Sequence, residues 1–149
     1  MPNGLVVTAA WVHNEATGED LPNQYALSKD GGTTWSQPQS TGLIGQTTSI
    51  LLLDDGRILT VYRRMDESGL WANLCRLQDE QWGNECAVPL WGANVAGLTA
   101  ESDDMSHNFN VLRFGAPCIT KLPDDVVFVA FWCDEECVSN IRWFKLKVT

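Results

Sequence analysis

Three arginines and one histidine are the side chains in this sequence most suited to binding an acidic ligand or moving a proton. Arg63, Arg64 and Arg113 carry planar guanidinium groups, which can bind both oxygens of a carboxylate. His13 is followed by an asparagine and a glutamate, and an imidazole can exchange protons near neutral pH. These residues predict a site for a carboxylated ligand, with Arg113 as its strongest candidate.

Each candidate also has a structural interpretation that needs no ligand. Arg63 and Arg64 can pair with Asp66 or a neighbouring acidic residue, and exposed ion pairs of this kind contribute only ~0–1 kcal/mol. Arg113 can pair with an acidic residue of the preceding loop, and His13 can be a solvated loop side chain. The sequence leaves both interpretations open for each residue.

The histidines and cysteines do not form a metal-binding pattern. The chain has 2 His and 5 Cys, and the cysteines lack the paired C-x-x-C spacing of a structural zinc site. His107 lies near Asp103 and Asp104, but two histidines are too few for a dedicated site. We therefore predict no metal and no cofactor. Cys133 and Cys137 can bridge a hairpin if they are oxidised, and the alternative is that all the thiols are reduced and lie in strands.

Three equivalent turns predict the strands that must position these side chains. Residues 1–4 (MPNG), 53–56 (LDDG) and 122–125 (LPDD) are each followed by a run rich in β-branched and aromatic residues. The runs are LVVTAAW, RILTVYR and VVFVAFW, and no helical periodicity competes with them. The sequence therefore predicts an all-β fold made of three copies of one antiparallel unit.

The units cover about residues 1–42, 43–92 and 110–149 of a single domain, with a long loop at 93–109. The first unit lacks its first strand. The predicted strands are, in order, Leu5–His13, Gln24–Lys29 and Trp35–Gln39, then Thr48–Leu53, Arg57–Arg63, Leu70–Leu77 and a weaker Cys86–Leu90, then Pro117–Leu122, Val126–Trp132 and Ser139–Val148.

One short segment carries a complete structural motif, S-x-D-x-G-x-T-W. Its fixed places are filled by Ser28, Asp30, Gly32, Thr34 and Trp35. Asp30 can accept backbone N–H bonds within its own turn, and the glycines allow positive φ angles. The motif matches the Asp box of the BNR repeat, and the chain resembles the sialidase (neuraminidase) superfamily of β-propellers on this basis.

The resemblance implies a structural role for the box, because in that family it lies at an outer hairpin turn away from the catalytic face. The segment 75–82 (CRLQDEQW) has the same Ser-to-Trp spacing and resembles a decayed second box. We expect Trp35 and Trp82 to be buried at equivalent places.

The resemblance also implies a sialidase-like β-propeller of about three four-stranded antiparallel blades, half of a six-bladed ring, with the first blade incomplete. Propellers contain about four to eight blades. The chain is therefore expected either to associate with another copy of itself or to be a fragment of a longer protein.

In such propellers the ligand face is formed by the starts of the inner strands and by the loops that join the second and third strands. The resemblance places six candidate binding residues there: Gln46, Arg113, His13, Arg63, Arg64 and Asp66. The long loop, with Glu101, Asp103, Asp104 and His107, is expected to lie over the same ligand face. The family's nucleophilic Tyr corresponds to Ala116, and the Glu that supports it corresponds to Trp132 or Cys133.

Two functions remain as expectations. The first is a glycan-active hydrolase acting on sialylated or other acidic sugars, either in a complete assembly that supplies the missing groups or with its chemistry moved to His13, Glu15 and Asp66. The second is a catalytically inactive carbohydrate-binding or scaffold module that uses Trp71, Arg64 and Arg113. The net charge of −9 argues against nucleic-acid and anionic-membrane partners. The N-terminal residues contain no leader or membrane pattern, and the compartment is not predicted.

Overall fold

The computed structural model describes residues 1, 4–93 and 113–149 of the chain. The predicted loop at 93–109, including its acidic residues and His107, lies almost entirely outside the described residues. The described chain forms ten β-strands and one short 3-10 turn at Pro123–Asp125. The predicted all-β class is confirmed. The described part of the chain contains no helix that could span a membrane.

The strands form three antiparallel sheets of three, four and three strands. Sheet 1 has the order β1-β2-β3, sheet 2 the order β4-β5-β6-β7, and sheet 3 the order β10-β9-β8. The strand bounds are β1 Val6–Asn14, β2 Glu19–Ser28, β3 Gln39–Ser40, β4 Gly45–Leu52, β5 Ile58–Arg64, β6 Gly69–Gln78, β7 Gln81–Trp91, β8 Phe114–Lys121, β9 Val126–Glu135 and β10 Val138–Lys147.

The predicted strands differ most from the structure at three places. Strand β2 begins at Glu19, five residues before the predicted start at Gln24. The strand predicted at Trp35–Gln39 is wrong, since only Gln39 and Ser40 pair with β2. The Ser36 hydroxyl accepts the Leu27 N–H bond that a backbone carbonyl would take in a ladder, and Pro38 has no N–H to donate. The fourth strand of sheet 2, predicted as weak, is the 11-residue β7.

The three predicted turns share one hydrogen bond. The backbone N of Leu53 donates to Arg57 O at 2.8 Å, and that of Leu122 donates to Val126 O at 2.7 Å. The amino group of Met1 makes the same bond to Leu5 O at 2.8 Å. The internal repeat that was predicted from sequence is therefore a repeat of backbone geometry.

The inner strands of sheets 2 and 3 repeat an irregularity as well. The β4–β5 pairing shifts register between Gln46 and Ser49, and the β8–β9 pairing shifts between Gly115 and Cys118. The first of the two unpaired residues in each bulge has a positive φ, 50° at Thr47 and 46° at Ala116. A bulge twists and redirects a strand, so both inner strands begin with the same turn away from the ladder.

The core lies between the sheets. Between sheets 2 and 3, Leu59, Val61 and Leu70 pack with Val129 and Phe131. Sheet 1 packs on sheet 2 through a smaller cluster, in which Tyr25, Leu5 and Leu27 contact Leu77 and Trp82. Strand β4 lies beside both β1 and β8, so the three sheets are arranged side by side about their first strands.

The expectation that Trp35 is buried is wrong. Its side chain is folded back over its own turn, where Nε1 donates to Gly32 O at 3.1 Å, and the residue is 44% exposed. Trp82 is half-buried against Tyr25, with ring centroids 5.2 Å apart.

Candidate functional site

One end of the three sheets collects all six candidate binding residues. Strands β1, β5 and β9 end there, and β2, β4, β6, β8 and β10 begin there. Hydrogen bonds from Gln46 to Asp20 and from Arg63 to Phe114 O join the ends of neighbouring sheets. We call this end the mouth. The antiparallel registers place the Asp box at the opposite end.

A buried arginine crosses from sheet 2 to sheet 3 at the mouth. Arg63 is 2% exposed, its Nη1 donates to Phe114 O at 3.0 Å, and its Nη2 donates to Gln46 Oε1. Its Nε has no partner among the described residues. Burial lowers the pKa of Arg63 to about 10, and the Asp20 carboxylate opposes that shift. Arg63 therefore remains charged at neutral pH.

Gly115 provides the space for that guanidinium. A Cβ at position 115 would lie 2.9 Å from Arg63 Nη1 and 3.6 Å from Trp132 Nε1. A contact under 3.0 Å forces one group to move. Gly115 thus leaves room for the Arg63 guanidinium between sheets 2 and 3. On β9, Trp132 is the residue paired with Gly115.

His13 is held by a carboxylate that sequence reasoning missed. Its Nδ1 lies 3.0 Å from Asp20 Oδ1, and both side chains are largely buried. Gln46 Nε2 donates to Asp20 Oδ2 at 2.9 Å, so Asp20 links His13 to the Arg63 crossing. A His–Asp pair orients an imidazole and leaves its other nitrogen for proton exchange. Residues 13 and 20 lie opposite each other in the β1–β2 hairpin, but the predicted second strand began after residue 20, at Gln24.

Arg64, the neighbour of Arg63, points to the other face of β5 and has different contacts. Its Nε donates to Asp66 Oδ1 at 2.7 Å, Nη2 lies 3.0 Å from Glu67 Oε1, and the guanidinium stacks over Trp71 at 4.5 Å. The hydrogen bond from Arg64 is the main cause that lowers the pKa of Asp66. The ion-pair interpretation therefore describes Arg64 and Asp66, while Arg63 pairs with neither acidic neighbour.

Arg113 is the exposed arginine at the start of β8. Its side chain is 54% exposed, and its nearest acidic atom in the described chain is Asp134 Oδ2 at 4.0 Å from Nη1. The backbone holds the pair together, since Asp134 N donates to Arg113 O at 2.7 Å. Such a long, exposed ion pair contributes little, so the described residues leave most of the guanidinium's donors without a close acidic partner. The predicted pairing of Arg113 with the preceding acidic loop falls on residues outside the described part of the chain.

Residues 134–136 form an acidic segment at the end of β9, and the Glu135 side chain in it has partners on two other strands. Trp91 Nε1 donates to Glu135 Oε1 at 3.1 Å and Arg142 Nε donates to Glu135 Oε2 at 2.8 Å, so this carboxylate joins β7, β9 and β10. The Arg142 hydrogen bond holds the pKa of Glu135 below its usual range. Trp91 gave no sequence signal for this role.

The positions that correspond to the family's nucleophile and its supporting acid hold no equivalent groups. Ala116 has only a methyl group, and Trp132 cannot accept a proton. The Cys133 thiol is fully buried, and desolvation raises its pKa, which keeps it protonated. All five cysteines are free, including Cys137. The described residues contain no cluster of His, Cys, Asp and Glu arranged to hold a metal ion.

The Asp box closes on itself. The Asp30 carboxylate accepts bonds from Thr34 N at 2.8 Å, Thr34 Oγ1 at 2.7 Å, Thr33 N at 3.0 Å and Ser28 Oγ at 2.8 Å. These bonds, those from Thr34 above all, lower the pKa of Asp30 to about 2. A carboxylate used in this way has little capacity left for a ligand.

Comparison with known proteins gives a fold without a function. No protein-family model matches the chain, and no curated protein matches it. Among solved structures, the chain is similar to a protein of unknown function from Dyadobacter fermentans DSM 18053, at 20% identity and a TM-score of 0.63. The match covers 99% of this chain and 36% of that chain, so this chain spans about a third of its length. Similarity at this identity shows a shared fold alone.

Proposed function

We propose that this chain is part of a sialidase-like β-propeller and binds an acidic sugar at the mouth without hydrolysing it. The Asp box, the repeated turns and the repeated bulges support the propeller as the architecture. The three sheets would be blades, the bulged strands β4 and β8 would be inner strands, and the mouth would be the ligand face.

The observation that carries the proposal is the state of Arg113. Arg63 is buried in a crossing between sheets, and Arg64 is occupied by Asp66, Glu67 and Trp71. Among the described residues Arg113 is mostly exposed and only weakly paired, so its guanidinium can bind both oxygens of a ligand carboxylate. A sugar acid supplies that carboxylate.

The lack of hydrolysis rests on the groups at the reacting positions. Ala116 cannot attack an anomeric carbon, and the buried, protonated thiol of Cys133 cannot replace the missing base. Binding without a group at these positions that attacks the anomeric carbon gives recognition and no turnover.

The test is a titration of the full chain with a sialoside and with the matching neutral glycoside. We expect the sialoside to bind more tightly, Arg113→Lys to weaken it despite the retained charge, and Arg113→Ala to remove the preference. Arg76→Lys is the matched control, because Arg76 is also exposed and paired but lies toward the opposite end of sheet 2. Equal affinity of wild type, Arg113→Lys and Arg113→Ala would refute the site.

A second candidate function, hydrolysis, is favoured by one observation, the His13–Asp20 pair. If the chemistry has moved to this pair, a fluorogenic sialoside should be cleaved by wild type and not by His13→Gln. Cleavage that Arg113→Ala leaves intact would separate this function from the binding site proposed above.

A further inference from the structure

Each sheet has two faces, which we name from sheet 2. The forward face carries Leu59, Val61, Leu70 and Ala72, which are buried against sheet 3. The rear face carries Ile58, Thr60 and Tyr62, which alternate with these residues on β5 and are also buried. Sheet 2 therefore has a neighbour on both sides.

The repeat identifies the same faces on the other sheets. The strand pairs Val6↔Ser28 and Ile58↔Cys75 are equivalent, so Val6, Thr8 and Ala10 form the rear face of sheet 1. Likewise Val61↔Ala72 corresponds to Ala130↔Trp143. The forward face of sheet 3 thus consists of Phe128, Ala130, Ile141 and Trp143. Both contacts within the chain join a forward face to a rear face.

Within residues 1, 4–93 and 113–149, one forward face and one rear face have no sheet packed on them. On the forward face of sheet 3, Ile141 is 70% exposed and Trp143 is 58% exposed, with Trp143 stacked on Phe128 at 5.8 Å. On the rear face of sheet 1, Val6, Thr8 and Ala10 are all exposed. Large exposed apolar groups in a cluster mark an interaction surface. The two uncovered faces are therefore one forward face and one rear face, and faces of these two kinds pack together at both contacts between sheets inside the chain.

We infer that the forward face of sheet 3 binds the rear face of sheet 1 in a second copy of this chain. The contact is head-to-tail, so a dimer contains it twice, and it continues the stacking already present in each chain. Two copies contribute six sheets, a number within the range in which propellers close. This inference rests on the propeller of the proposed function but needs no ligand.

The test measures the mass of the full chain in solution by light scattering across a dilution series. We expect twice the chain mass of 16.5 kDa for wild type, and the mass of one chain for Trp143→Glu and for Thr8→Arg. Ile141→Glu is a second disruption of the same face. Val138→Glu is the matched control, because Val138 is an exposed residue of β10 on its opposite side. The Val138→Glu variant should remain dimeric.

Mixing the two monomeric variants gives the sharper test. A pair of Trp143→Glu and Thr8→Arg chains has one contact with both substitutions and one with neither, so the mixture should recover the mass of two chains. A dimer that Thr8→Arg does not affect would mean that the faces of sheet 3 pair with each other, and would overturn the head-to-tail contact. A wild-type monomer at all concentrations would overturn self-association and leave the faces to a partner of different sequence. A ligand titration that fails while the dimer persists would refute the sugar site alone.

Discussion

Truncation of Arg63 is the most direct test of how the sheets are joined at the mouth. The guanidinium makes two hydrogen bonds, to Phe114 O at 3.0 Å and to the side-chain oxygen of Gln46. Arg63→Ala removes both bonds and leaves a carbonyl and an amide oxygen buried without these donors. It also removes the positive charge nearest the buried side of Asp20.

The magnitude follows from these contacts. A buried hydrogen bond with a charged donor contributes about 1.5–3 kcal/mol, and truncation also relieves the cost of burying the guanidinium, so we expect a net loss of about 3–5 kcal/mol. Gln46→Ala removes one of the two Arg63 bonds and also the bond from Gln46 to Asp20, so it should cost about 2–4 kcal/mol. Arg64→Ala, which breaks a partly exposed ion pair, should cost about 1 kcal/mol or less.

The assay is urea unfolding followed by tryptophan fluorescence, with all variants at one protein concentration so that association affects them equally. A loss below about 1 kcal/mol for Arg63→Ala would show that the crossing contributes nothing to stability. If Arg63→Ala does not fold, Gln46→Ala still decides the point, because a cost equal to that of Arg64→Ala would refute the reasoning.

Three further predictions concern other parts of the chain. Gly115→Ala should cost about 1–3 kcal/mol, and much less in an Arg63→Met background, because its Cβ meets the guanidinium; a double-mutant cycle measures this. The pKa of Asp30 is lowered from 3.8 to about 2, so its contribution to stability is present above 3.8 and is lost as the pH falls toward 2. The stability difference between wild type and Asp30→Asn should therefore shrink in acid unfolding curves over that range. A thiol reagent should modify three cysteines quickly, whereas Cys75, whose burial raises its pKa to about 12, should react only after unfolding; the exposed three are Cys86, Cys118 and Cys137.

The all-β class and eight of the ten strands could be predicted because their signals are local. Turn residues such as those at 53–56 stand next to β-branched runs, and each signal lies within a few residues of the element that it specifies. The exceptions are β3 and β7. Before β3, the Ser36 hydroxyl accepts the Leu27 N–H bond in place of a backbone carbonyl. The composition of the segment does not predict this side-chain bond.

The arrangement of the mouth could be predicted only in part, because its contacts are set by packing between sheets. The adjacent Arg63 and Arg64 were treated alike from sequence, yet a strand sends neighbouring side chains to opposite faces. One is therefore buried in a crossing and the other stacks on Trp71 near the surface. Asp20 lies opposite His13 only because the β1–β2 pairing shifts register between Ala10 and Val12, and the predicted second strand began after it, at Gln24. The contact of Trp91 with Glu135 joins two sheets and has no local signal.

The repeats also show which features of the mouth belong to the fold. A β-branched residue with a φ of 50°, such as Thr47, is strained, and strain of this kind often marks a functional site. Here Ala116 has nearly the same φ at the equivalent bulge, so the strained backbone is a property of the inner strand and needs no ligand. Features that are particular to one site must therefore be sought where equivalent residues of sheets 2 and 3 differ.

The largest such difference is at the residues paired just before each bulge. Gln46 pairs with Arg63 in sheet 2, and Gly115 pairs with Trp132 in sheet 3. The two sites fit together, because the arginine of one sheet enters the space that the glycine of the next leaves open. Arg113 stands two residues before that glycine, and its side chain is exposed at the edge of the mouth. The buried arginine joins two sheets through Gln46 and Phe114, whereas the exposed one has only the 4.0 Å contact with Asp134 among the described residues.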